Sequence, residues 1–331
     1  MWDFSVARGL DLMFKTAPFV LFRAAVYFAV AAAYVIVTAA GAGVGYGIGA
    51  FGDADFQASS AIWGGGLGFA LTAGVLYFLR EYILYVVKAG HIAVMVELLD
   101  GRPLPEGMGQ IGYAKSVVAQ RFGQTSVLFG IDQLVKGVVN AVTGLLQGLA
   151  TLLPIPGVDQ LMAALRAYLK LAAGLIDEVI LAHAIRTRSD NPYASAQEAL
   201  VLYGQNAKPM LINAAWLTLF VYGLSLLVFL LMLAPAAALV YLLPGAWSAG
   251  GLVFALLFAW AIKAALIEPF AIACLLQAFF KITEGQQPDP EWEQRISGAS
   301  NRFQELGQRA ANWAGIKTPP TATTGKVGAQ A

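Results

Sequence analysis

Of 331 residues, 58% are hydrophobic and only 12% charged, where a soluble domain carries about 25% charged residues. The mean hydropathy of +0.66 and the many helix-length apolar stretches exclude an ordinary soluble domain and point to a lipid-facing surface. The net charge of +1 offers no basic field to replace phosphate counterions, so nucleic acid is not an expected partner.

The chain opens with alternating polar and apolar residues at helical spacing. Trp2, Phe4, Leu10, Met13 and Phe14 are available for one face, so residues 1–17 read as an interfacial helix. The apolar run behind them is longer than a signal h-region and is broken only by Arg23, which predicts an uncleaved first span over 19–41. This span runs into a glycine ladder, Gly41, Gly43, Gly45, Gly47 and Gly49. A second group, Gly64, Gly65, Gly66 and Gly68, opens a second span that starts near Ala61 and continues to about Leu99. So much glycine permits either close backbone packing or a mobile turn.

Further spans are expected at 128–152, 160–184, 210–232 and 250–279. Pro154 and Pro156 separate the third from the fourth, and Pro235 and Pro244 bracket a turn after the fifth. The fourth holds Arg166, Lys170, Asp177 and Glu178, so a re-entrant or surface element is its alternative. Segments 42–60, 153–160 and 233–249 contain no Lys or Arg, whereas 100–122, 185–208 and 281–331 contain three, three and six. Under the positive-inside rule this alternation places both termini in the cytosol of a bacterial-type inner (plasma) membrane.

The two internal cytosolic connectors share a scheme. Ala93 to Pro103 and Ala182 to Pro192 have equal spacing, and each leads into a short amphipathic helix, at 107–121 and 193–206. This is either a parallel internal repeat or the common form of interfacial loop helices. Residues 283–315 form a third cytosolic amphipathic segment, in which Trp292, Ile296, Phe303 and Leu306 are available to face the membrane. Residues 316–331 lack an apolar face and read as a disordered tail. The expected fold class is therefore all-α: a polytopic transmembrane helical bundle over 18–282, with about six spans and cytosolic amphipathic surface helices.

Ionisable groups at membrane depth are the strongest functional signal. Lys263 lies near the middle of the sixth span, Glu268 falls in the cytosolic half of that span, and Asp177 and Glu178 fall in the cytosolic half of the fourth. Asp132 and Lys136, spaced i,i+4 on one face, enter from the cytosolic side, with Glu81 close to the inner interface. Together they describe a cavity lined by ion pairs, or a set of neutralised structural pairs. Glu268 is the sharpest case, being deep and followed by Pro269. Arg80, Lys88, Glu97 and His183 read as snorkelling or interface groups, and Arg166 and Lys170 as lipid-headgroup contacts. Trp63 and Trp247 fit the outer aromatic belt and Trp216 the inner one. Trp260, three residues before Lys263, and Tyr77, Tyr82 and Tyr85 could meet a cationic ligand through cation–π attraction or simply pack.

There is no CxxC, HExxH, GxxxxGK[ST] or GxSxG motif. The single Cys274 reads as a buried small hydrophobe, and His91 and His183 lack metal-ligand spacing. No cofactor, metal or enzymatic activity is expected. VVKAGHIAVMV at 86–96, RFGQTSVLFG at 121–130 and DNPYASAQEALVL at 190–202 resemble, in order, blocks of the choline transporter-like family. Gly90, Ser126, Phe129, Gly130, Asn191, Tyr193, Ser195 and Ala199 stand at the matching positions. This chain lacks the family's large extracellular insertion and its full number of spans. The resemblance implies movement of choline, ethanolamine or a related amine. Two functions remain: a transporter or permease for a small cationic solute, or a non-transporting scaffold or accessory subunit. The expected partners are membrane lipids, that solute, and a second copy or a membrane complex.

Overall fold

The computed structural model describes residues 2–105, 107–122, 130–131, 134–135, 137–138, 176–242 and 250–313, with the backbone alone at 77–85, 120–122, 239–242, 250–251 and 254. Among these residues every regular element is helical. The helices are α1 (Val6–Lys15), α2 (Ala17–Gly49), α3 (Ala54–Leu99) and α4 (Gln110–Phe122), then α5 (176–186) and α6 (Pro192–Gln205). They continue with α7 (Ala207–Leu242), α8 (Gly250–Ile262), a π-helical turn (Lys263–Ile267) and α9 (Glu268–Ile282), followed by α10 (Pro290–Ala299) and α11 (Asn301–Ala311).

Helix starts follow local chemistry. Ser5, Asp53, Asn191, Asp289 and Ser300 each cap a helix by accepting a backbone N–H from its first turn, satisfying donors the helix itself cannot. Pro18, Pro192 and Pro290 sit at the first or second helical position, where a missing N–H costs nothing.

Among the described residues four stretches are long and apolar enough to cross a membrane: Ala17–Gly49, Ala54–Leu76, Ala207–Ala238 and Ala255–Ile282. Only 11–17% of the apolar window is buried in the first three, against 50% in the last. The exposed side chains there include Leu21, Ile36, Val44, Ile62, Leu67, Leu71, Leu219, Leu226 and Leu230. Such a surface suits hydrocarbon and not water. The described residues thus form an all-helical fold with several long apolar helices, consistent with a polytopic membrane bundle. Most of the expected third and fourth spans lies outside the described residues.

Several expected boundaries are corrected. Residues 42–60 do not form an external loop: α2 continues to Gly49 and α3 begins at Ala54, leaving only 50–53 as the turn. Close packing is the reason. A Cβ at Gly41, Gly45, Gly49, Gly64 or Gly68 would overlap backbone of the opposite helix, whereas Gly43, Gly47, Gly66 and Gly74 face open space. Glycines every fourth residue on one face let the backbones touch. Likewise, Pro235 does not end the fifth span, because α7 runs through it to Leu242; long apolar helices tolerate an internal proline.

The dry core lies at one end of the bundle. There Ile92, Met95 and Val96 of α3, Val179 and Ile185 of α5, and Leu275, Leu276 and Phe279 of α9 are buried together with Phe4 and Leu12. The N-terminal arm is tied to the end of α9 and to α7 here. Asp3 accepts from Lys281 Nζ at 3.1 Å and from Asn213 at 3.0 Å. Ile296, Phe303 and Leu306 do not face the membrane as expected. They pack with Tyr193, Ala196 and Ala199 of α6 and with Leu134 and Val138. The faces of α10 and α11 therefore belong to a protein core, since a complementary helix outcompetes the interface. The segments 107–121 and 193–206 hold α4 and α6, which bury Ala114 and Val117, and Ala196, Ala199 and Leu200, against neighbouring elements.

Candidate functional site: a charge cluster at the π turn

The sequence of α8 and α9 dictates a backbone defect. Pro269 has no N–H and cannot sit in an unbroken α-helical ladder without loss. The chain responds with a π turn over Lys263–Ile267, in which the Glu268 N–H donates to Lys263 O. That i→i−5 step leaves Ala264 O facing the position of Pro269, which has nothing to donate. Arg23 of α2 supplies the donor: its guanidinium reaches Ala264 O at 2.8 Å. Arg23 is 3% exposed and lies 3.8 Å from Glu268 Oε2.

The π turn also sets the geometry of Lys263 and Glu268. Five residues apart, they only partly share a face in a regular α-helix. The wider turn brings i and i+5 together, and Lys263 Nζ lies 2.7 Å from Glu268 Oε1. Glu268 thus binds Lys263 on one oxygen and faces Arg23 on the other.

Lys88 of α3 pairs with Glu178 of α5 and interacts electrostatically with Asp177 and Glu268. Lys88 is therefore not a snorkelling group; its side chain is 26% exposed and Glu178's 4%. Three cations (Arg23, Lys88, Lys263) meet three carboxylates (Asp177, Glu178, Glu268), drawn from α2, α3, α5 and the π-turn helix. The formal charges cancel. The Lys263 and Glu268 side chains keep 27% and 36% exposure.

Aromatic rings border the cluster. Arg23 lies over the Tyr27 ring at 5.8 Å, and Tyr27 meets Trp260 edge-on at 5.2 Å. The Tyr27 ring face thus carries one of the protein's own cations. His91, 1% exposed, stacks on Phe19 with centroids 5.2 Å apart. Its Nε2 lies 2.8 Å from Thr16 Oγ1.

At the polar end a second charged set ties the two connectors together. Glu97, expected to snorkel, is instead 5% exposed. It accepts from Arg102 and from Tyr113 Oη at 2.7 Å, with Arg188 at 3.9 Å. Arg186 holds Asp100 at 2.9 Å and stacks 4.2 Å over the Phe280 ring. Burial pushes the Glu97 carboxyl up, but the bonds from Arg102 and Tyr113 and the charges of Arg102 and Arg188 hold it below the usual range. The Asn213 and Lys281 hydrogen bonds likewise hold Asp3 below its ordinary value.

Of the residues singled out in sequence, Glu268, Lys263, Asp177, Glu178 and Trp260 converge. Asp132 and Lys136 lie outside the described residues, and so do the side chains of Glu81, Tyr77, Tyr82 and Tyr85. Sequence reasoning missed Arg23, although a lone arginine inside a 25-residue apolar run is itself a signal. Among the described residues no group of three or more His, Cys, Asp or Glu is placed to hold a metal. No family model, curated protein or solved structure matches the chain.

Proposed function

We propose that the chain is a membrane permease for a small solute and that the Arg23–Lys263–Glu268 cluster is its exchange site. One observation carries this reading: six charges gather in an apolar bundle, yet the Lys263–Glu268 pair keeps 27% and 36% side-chain exposure. Charges at membrane depth are costly unless paired or wetted, and a pair that is also accessible can exchange partners. The resemblance to choline transporter-like proteins favours an amine or quaternary ammonium as the solute. Such a cation would replace Lys263 at Glu268 Oε1, while Arg23, anchored on Ala264 O, holds the helix in register. Re-pairing of Lys263 would then release the solute. The Lys/Arg-bearing segments support an inner-membrane protein with cytosolic termini, in which the spans expected at 128–152 and 160–184 would complete the six.

The second reading, a non-transporting scaffold, is favoured by the zero net charge of the cluster. Uptake of radiolabelled choline by proteoliposomes separates the two. Glu268→Gln should insert and fold but lose uptake by more than about tenfold if the carboxylate binds the cation. Unchanged uptake per folded molecule, with stability lower by about 1–3 kcal/mol for a partly exposed pair, would overturn the permease reading in favour of the scaffold.

A further inference from the structure

On the membrane face of α1 runs a groove of about 720 Å³ lined entirely by apolar side chains. Five elements from three regions of the sequence build it. Leu10 and Phe14 come from α1 and Leu21 from α2, with Phe220 and Leu224 from α7, Ile267 from the π turn and Phe270 from α9. Its volume falls within the range of specific ligand sites, and no polar side chain lines it to hold a water-soluble molecule. The groove opens onto the same belt of exposed side chains that marks the four apolar helices, with Phe14 80%, Leu21 70% and Leu224 40% exposed. Its occupant must therefore come from the hydrocarbon phase.

The rim narrows the choice. Asp11 and Lys15 form an exposed pair at 2.8 Å, each one residue beyond Leu10 and Phe14 and so about 100° around the helix. An amphipathic helix at an interface keeps its apolar face in the acyl region and its charges at headgroup level. A headgroup carrying a phosphate and an amine presents the opposite charge to each partner of this pair.

We propose that the groove is a binding site for one zwitterionic glycerophospholipid. An acyl chain lies beneath α1, the phosphate sits at Lys15 and the amine at Asp11. This rests on the membrane reading of the apolar helices and not on transport. Because Leu266 and Ile267 line the groove and belong to the π turn, the seated chain buttresses the turn that holds Lys263 against Glu268.

The test uses the purified full chain and a phosphatidylethanolamine bearing a photoactivatable group on its acyl chain. Cross-links should concentrate in peptides 6–21, 220–224 and 266–270. They should spare Leu226, Leu230 and Leu231, which are more exposed than Leu224 but lie on α7 outside the groove. Native mass spectrometry should show one retained phosphatidylethanolamine, lost in Leu266→Trp and in Leu10→Trp, which fill the groove, and kept in Leu231→Trp. Cross-links spread evenly along α7, or retention by both filled variants, would overturn the site. Equal retention of phosphatidylglycerol, which lacks the amine, would overturn the zwitterionic assignment. None of these readouts needs transport, so a chain that moves no solute can still pass, and a working permease can still fail.

Discussion

Pro269 explains Arg23. A residue without an N–H forces the π turn, the turn strands a carbonyl, and an arginine 241 positions away in sequence fills the vacancy. Pro269→Ala restores the missing donor, so the turn should relax to α-helical register and part Lys263 from Glu268. A double-mutant cycle on Lys263 and Glu268, read by thermal unfolding in detergent, checks this. Coupling of about 0.5–2 kcal/mol should be present in the wild type and absent in the Pro269→Ala background. His91 supports a second expectation. The Thr16 hydroxyl donates to Leu12 O at 2.7 Å, leaving its oxygen to accept from His91 Nε2. The ring should therefore be the Nε2–H tautomer. A proton on Nδ1 in ¹⁵N spectra of labelled protein would contradict the assignment. Legibility at this scale followed chemistry. Glu268 and Lys263 were visible because a charge in an apolar run has few bland explanations. Their contact was not visible, because i,i+5 proximity needs a backbone defect that periodicity does not report. Lys88 and Glu97 were misread because a stem long enough to snorkel is also long enough to reach a partner inside the protein, Glu178 for Lys88 and Arg102 for Glu97.

The α2–α3 hairpin shows how small residues set the path of an element. Gly45→Ala should cost about 1–3 kcal/mol because its methyl overlaps backbone at Ser60, the usual loss on overpacking. Gly43→Ala, facing open space, should be neutral or stabilising by up to about 1 kcal/mol from helix propensity. Chemical denaturation of the two variants in one detergent compares them; equal losses would refute the one-sided packing. Sequence reading offered packing or a mobile turn because composition counts glycines but does not say which face each occupies. The every-fourth spacing of 41, 45 and 49 carried that information. The connector lock responds to acid. A carboxyl whose folded pKa is depressed adds stability that is complete above its unfolded value, about 4.3 for Glu. That stability is lost as pH falls through the lower folded value. Glu97 and Asp3 both shift downward, so the 100–113 connector should exchange amide hydrogens faster below about pH 4. Glu97→Gln should show the fast exchange at neutral pH and remove the Glu97 part of the dependence.

At the scale of the whole molecule, the apolar helices and their exposed belts were legible because lipid, like water, selects surface composition. The inward packing of α10 and α11 was not, since an amphipathic helix carries the same pattern whether a membrane or a protein covers it. Reporter fusions test the orientation inferred from the Lys/Arg alternation. A tag in the 50–53 turn should be accessible only from outside, and tags at Pro105 and Asp190 only from the cytosol; labelling of the 50–53 turn from the cytosol would reverse it. The division between a dry polar end and helices bathed in lipid has a mechanical consequence. The polar end is held by buried side chains and ion pairs, and water-borne denaturant attacks such contacts. The hairpin is held by backbone contact in a solvent that urea does not enter. The molecule should therefore come apart in two ways that different agents select. Urea should open α5, α6, α10 and α11 while leaving α2 against α3, and a shorter-chain detergent should loosen the hairpin while the polar end stays closed.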